Sequence, residues 1–126
     1  YLPVFMKLVQ AAVALVYMLF LGYMSVVPLH KPGEHVSMAK QVFDNALHIP
    51  AYAVLTYLLI RCFKNVSVKV LITAGLTALG YGILMEYFQS LTPNRYPSFM
   101  DVCLNGAGIL IAVILRSAAT KDRQVI

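Results

Sequence analysis

Charge is what this chain has least of. Asp, Glu, Lys and Arg make up 12% of its 126 residues, about half the share found in soluble domains. Beside a hydrophobic content of 60% and a mean hydropathy of +0.77, that scarcity excludes an ordinary soluble domain, because so small a core cannot hide so much apolar surface. Cysteine is nearly as rare. Cys62 and Cys103 are the only two, and neither belongs to a Cys-x-x-Cys pair or a Cys/His cluster with metal spacing. They are expected at opposite membrane faces, which excludes a disulfide between them. Catalytic signatures are missing too. There is no Gly-x-Ser-x-Gly, no His-Glu-x-x-His and no phosphate-cradling glycine loop. Neither His-x-x-x-His nor Glu-x-x-His occurs in a metal-binding arrangement, so no metal and no cofactor is expected. The ten Lys and Arg residues form no run, and a net charge of +5 with pI about 9.4 therefore does not imply nucleic acid. In a membrane protein such an excess sets orientation and meets anionic head groups. With no repeat, low-complexity stretch or composition shift, residues 1–126 read as one domain.

What the chain does have is apolar runs of membrane length. Spans are expected at about 4–27, 45–63, 68–91 and 99–118, each close to the roughly 20 residues that cross a bilayer as a helix. The fold class is all-α, a polytopic membrane bundle of four transmembrane helices. The first run is too long for a signal-peptide core, and no small-x-small cleavage site follows it, so it reads as a membrane helix. Pro28, Pro32 and Gly33 end it, and a polar connector from His30 to Gln41 follows, with His30 and His35 expected in solvent. Pro50 falls in the first turn or two of the second span, where a missing N–H costs least. Thr92–Ser98, with its two prolines, reads as a turn. Lys7, Arg61, Lys64, Lys69, Arg116, Lys121 and Arg123 fall on one side of this topology, and Lys31, Lys40 and Arg95 on the other. The positive-inside rule puts the seven in the cytoplasm together with both termini.

The polar residues inside these runs are the best guide to function, because lipid makes them expensive. Asp44, His48 and Tyr52 share one helical face at the outer end of the second span. In the third span Gly75, Ala78, Gly82, Glu86 and Gln89 form one stripe, small residues in its inner half and polar ones in its outer half. Asp101, Asn105, Gly108 and Ala112 form another stripe in the fourth. The small residues favour close helix packing, which draws the polar ones inward. Together with Arg95 from the outer loop, these spans deliver Asp44, His48, Tyr52, Glu86, Gln89, Arg95, Asp101 and Asn105 to one polar pocket in the outer leaflet. Structural roles stand beside binding roles. Arg95 can pair with Asp101 or Glu86, Asn105 can be a helix–helix hydrogen bond, Ser98 and Asp101 can form a capping box, and Asp44 can cap the second helix. Glu86 is hardest to explain structurally, since a carboxylate one turn inside a span needs a proton, a cation or a donor.

The segment Gly82–Gly108, GILMEYFQSLTPNRYPSFMDVCLNGAG, resembles the VanZ-like family of integral membrane proteins. The family's pattern falls here on Gly82, Glu86, Gln89, Pro93, Arg95, Asp101, Asn105 and Gly108. Upstream, Asp44, His48, Tyr52 and Leu55 of DNALHIPAYAVL match a second family motif. Asn45 departs from a common Lys, and Ala112 from a common Gly. The resemblance implies a multi-pass protein of the bacterial cytoplasmic membrane. It also links the chain to glycopeptide resistance, since the family is named for a teicoplanin-resistance protein.

Three functions follow as expectations. The first is binding of an envelope lipid or glycopeptide-type ligand in the outer-leaflet pocket, with Arg95 holding an anionic head group. The second is an accessory subunit docked on other membrane proteins through helix one. The third is a lipid-modifying enzyme with His48 or Glu86 as general base; missing signatures make an enzyme the weaker expectation. Proton transport is weaker again, because the polar residues gather at one face and do not cross the bilayer. The expected partners are membrane lipids, with other membrane subunits second and no nucleic acid.

Overall fold

A computed structural model describes residues 3–27, 33–93 and 95–124. Pro28, His30, Lys31 and Pro32, which bear on the end of the first span, the connector and the charge count, lie outside the described residues. Five helices follow in order: α1 (Val4–Val26), α2 (Met38–Ala46), α3 (His48–Arg61), α4 (Val68–Ser90) and α5 (Phe99–Gln124). Every regular element among the described residues is a helix.

Three helices are long and apolar enough to cross a membrane: Val4–Val26, Val68–Ser90 and Phe99–Arg123. At 1.5 Å per residue α4 is about 34 Å long, enough for a hydrocarbon core of about 30 Å. The expected second span differs. It is a 9-residue α2 and a 14-residue α3, separated by a break at Leu47. Pro50 explains the break. It has no N–H for the Ala46 carbonyl, and its ring crowds that carbonyl, so a helix running through from Asn45 is interrupted four residues upstream. Pro50 then sits in the first turn of α3, where no donor is needed. The start of α2 corrects the expected connector, because Met38–Gln41 is helical. Ser37 is its N-cap, with Oγ accepting from Lys40 N at 3.2 Å; Asp44 is therefore an interior residue of α2 and not a cap. At the other end of the chain, α5 runs six residues past the expected limit at Ala118.

α3 is the central helix and contacts all four others. Leu55, Thr56 and Ile60 have no exposed surface, and Tyr52 is buried beside them. The buried face of α4 is Leu71, Ala74, Ala78, Gly82, Met85, Glu86 and Gln89, which contains the small-then-polar stripe. On α5, Asp101, Asn105, Gly108, Ile109 and Ala112 are buried. Gly75 is half-buried, next to Ile109 and Val113.

Gly108 is the closest approach in the bundle. A Cβ there would run into the Ile49 carbonyl oxygen and lie 3.0 Å from Ala53 N, so α5 and α3 meet backbone to backbone. Two tyrosines fasten α1 to the bundle, one at α3 and one from α4. Tyr17 Oη donates to Ala51 O at 2.7 Å, and Tyr81 Oη donates to Met18 O. The outward faces are apolar, as at Phe5, Leu8, Val16 and Leu19 of α1 and Leu110, Ile114 and Leu115 of α5.

Short connections make the helices alternate in direction. The end of α1, the start of α3, the end of α4 and the start of α5 meet at one end of the bundle, called here the Arg95 end. The start of α1, the end of α3, the start of α4 and the end of α5 meet at the other, the Lys64 end. Cys103 is near the first end and Cys62 near the second, and both are free thiols.

Candidate functional site

At the Arg95 end a pocket of about 570 Å³ opens between α1, α2, α3 and the α4–α5 loop. Six of the eight expected pocket residues line it: Asp44, His48, Tyr52, Gln89, Arg95 and Asp101. Glu86 and Asn105 stand behind the wall and support it.

Asn105 is 1% exposed. Its Oδ1 lies 2.7 Å from His48 Nδ1, a bond from α5 to α3 that sets the ring's orientation. Because an amide oxygen only accepts, this bond is made by a His48 ring with a proton on Nδ1. In the neutral ring Nε2 is then an acceptor. It faces Asp101 Oδ1, also an acceptor, at 3.8 Å, beyond hydrogen-bond reach. Among the described residues Asp101 Oδ1 is buried without a hydrogen-bond partner. The close approach at Gly82 keeps this cluster compact, since a Cβ there would lie 2.8 Å from Asn105 Nδ2 and 3.1 Å from the Tyr52 ring.

Glu86 holds the loop. Its Oε2 accepts from Ser98 N at 3.1 Å, while Ser98 Oγ accepts from Met100 N at 3.2 Å. Ser98 is thus the N-cap of α5, as expected, but Asp101 is not its capping-box partner. In a capping box the third helical residue reaches back to the cap's N–H; here Glu86 of α4 takes that donor, which leaves Asp101 facing His48. Glu86 is 8% exposed, and this bond gives it a structural partner.

Arg95 goes somewhere the sequence did not indicate. Its Nε donates to Ser25 O at 3.0 Å, and Nη2 donates to Met24 O at 2.7 Å and Ser25 O at 2.8 Å. These are carbonyls of the last turn of α1, which lack partners within the helix. The guanidinium therefore fastens the α4–α5 loop to the end of α1. Among the described residues it makes no ion pair with Asp101 or Glu86, the partners expected for it. Burial pulls Arg95 below its ordinary pKa, while Glu86 and Asp101 oppose that shift from a distance. At the rim, Asp44 Oδ2 lies 3.7 Å from Lys40 Nζ.

Sequence reasoning missed α1 as a wall of the pocket, to which it contributes Leu21, Met24 and Ser25, and also missed Gln41, Asn45 and Tyr96. The only sequence signal for α1 was indirect: a loop arginine needs acceptors, and the end of a helix offers them. No group of three His, Cys, Asp or Glu side chains suited to a metal occurs among the described residues.

A protein-family model described as VanZ/LLP1 matches residues 12–119. The matched region includes every residue of the pocket. No curated protein and no solved structure matches the chain.

Proposed function

Since the chain belongs to the VanZ/LLP1 family, we propose that it is a multi-pass membrane protein whose pocket binds an amphipathic envelope ligand, a lipid or lipoglycopeptide, through hydrogen-bond donors on its head group. One observation carries the reading: on the pocket wall His48 Nε2, an acceptor whenever the ring is neutral, faces Asp101 Oδ1 at 3.8 Å, and the second has no hydrogen-bond partner among the described residues. A buried carboxylate oxygen left in that state is costly. A primary ammonium, or two neighbouring hydroxyls, placed there gives each of the two a donor. Leu21, Met24, Leu47 and Ala51 line the same pocket and suit the apolar part of such a molecule. Arg95 is then a positioning residue that holds the loop, because Nε and Nη2 are already committed to α1.

In this reading α3 is the fourth crossing, buried by its neighbours, with the Leu47 break at the membrane edge. The Arg95 end faces outward. The support is the charge distribution, with Lys7, Arg61, Lys64, Lys69, Arg116, Lys121 and Arg123 all toward the Lys64 end. An impermeant maleimide should label Tyr96→Cys in intact cells on a Cys62→Ala, Cys103→Ala background; labelling only after lysis reverses the orientation.

The binding test uses the purified chain in nanodiscs. Phosphatidylethanolamine and a glycosyl diacylglycerol offer donors, whereas phosphatidylcholine has none on its head group. Native mass spectrometry should find the first two retained and the third lost. Asp101→Asn supplies an N–H to His48 Nε2 from within, and should abolish the preference without unfolding the bundle. Equal retention of all three lipids, or an unchanged preference in Asp101→Asn, overturns the proposal.

A further inference from the structure

The Lys64 end carries a second cleft that the pocket does not explain. Its volume is about 260 Å³, and it is lined by Lys64, Asn65, Val66, Arg116, Thr120 and Arg123. Arg116, Thr120 and Arg123 lie at positions i, i+4 and i+7 of α5 and share one face. Lys64–Val66 come from the α3–α4 loop, just before Ser67, the N-cap of α4. Three cationic side chains from two elements thus converge on one small cleft, and among the described residues no acidic side chain lines it.

Two details separate this cluster from a solvated basic face. Among the described residues Arg116 Nε is buried without a hydrogen-bond partner; a guanidinium donor in that position calls for an acceptor. The nearby Arg61, in contrast, is not part of the cleft and stacks on the Tyr57 ring at 5.7 Å. The start of α4 adds the positive end of its dipole beside the cleft. The volume suits a small polyatomic anion and leaves no room for an acyl chain.

We infer that Lys64, Arg116 and Arg123 form a phosphate-binding site at the end of the bundle opposite the polar pocket. Arg116 Nε supplies a directed donor and Lys64 and Arg123 supply charge. Asn65 offers an amide at the rim, while the Thr120 hydroxyl is already donated to Arg116 O at 2.9 Å. The phosphate belongs either to an anionic lipid head group, whose chains stay outside in the bilayer, or to a free phosphate.

The purified 126-residue chain in nanodiscs distinguishes the two sources. One arm measures retention of phosphatidylglycerol against phosphatidylcholine by native mass spectrometry; the other titrates inorganic phosphate by calorimetry, with and without phosphatidylglycerol. Retention of phosphatidylglycerol that millimolar phosphate does not displace identifies the lipid. Saturable phosphate binding that phosphatidylglycerol leaves unchanged identifies the free ion. In either case Arg116→Gln and Lys64→Gln should each weaken binding roughly fivefold or more, and Arg61→Gln should not. Lys64 is in a loop, so its variant remains informative if Arg116→Gln fails to fold. Absence of binding in both arms overturns the site, as does an equal loss in Arg61→Gln, which would be an effect of net charge alone.

Discussion

The two ends of this bundle contain opposite kinds of imbalance. At the Arg95 end acceptors are in excess. Among the described residues Arg95 is the only Lys or Arg lining the pocket, and its Nε and Nη2 are given to α1 carbonyls. Asn105 is given to His48 and Glu86 to Ser98, which leaves Asp101 Oδ1 unmatched. The cleft at the Lys64 end is lined by cations instead, and among the described residues Arg116 Nε is unmatched there. The first imbalance is enclosed by four helices locked through short contacts; the second lies at the periphery between a loop and the last turns of α5. The comparison separates cost from chemistry. Substitutions at the Arg95 end should unsettle the fold, and those at the Lys64 end should change binding with little effect on stability.

The largest effect should come from Gly108→Ala. Its new Cβ meets the Ile49 carbonyl, a backbone atom that cannot rotate away, so α3 and α5 must separate. A loss of about 3 kcal/mol is expected, the upper part of the range for overpacking, measured by reversible unfolding in mixed micelles. Gly75→Ala provides the contrast. Its Cβ would lie 3.4 Å from the end of the Ile109 side chain, and the change should stay within about 0.5 kcal/mol. Equal losses would show that both helix contacts are equally tight.

Asn105→Leu comes next. It keeps the volume but leaves His48 Nδ1 without its partner in a half-buried position. The expected cost is about 1–2 kcal/mol, between the penalty for an unsatisfied buried donor and the smaller values typical of membrane interiors. Asn105→Asp keeps an acceptor for Nδ1 and should recover part of that loss by the same unfolding assay. Arg95→Lys should cost less, about 1 kcal/mol, because an ammonium cannot reproduce the fork on Met24 O and Ser25 O. Its signature is local: faster amide hydrogen exchange over residues 22–27, with α3 and α5 unchanged.

These residues also show what the sequence could and could not reveal. The stripes of α4 and α5 were legible because small and polar residues recur at helical spacing, and that spacing alone decides which side chains face inward. The Ser98 cap was legible from its position before an apolar run. The Leu47 break was not, although Pro50 was in view. Its effect depends on where the helix starts, and a start at Asn45 had put the proline in a harmless first turn. α2 was hidden by composition, since MAKQVFDNA is too polar to stand out beside membrane spans. The partners of Arg95 were least accessible of all. Backbone carbonyls at the end of α1 carry no side-chain signature, so the two carboxylates nearby in sequence looked like the natural targets.

Arg61→Ala should have the smallest effect and sharpens the comparison from the other side. Arg61 lies at the Lys64 end with its guanidinium 5.7 Å from the centre of the Tyr57 ring, yet both residues are exposed. An exposed cation–π contact is worth about 0.5–1 kcal/mol, and some of that returns as side-chain freedom. The expected change is therefore at most about 0.5 kcal/mol, below the cost of losing the Arg95 fork, although each substitution alters one arginine. A loss from Arg61→Ala as large as that from Arg95→Lys would mean that charge at the Lys64 end also holds helices together. The contrast between an end that is locked and an end that is charged would then fail.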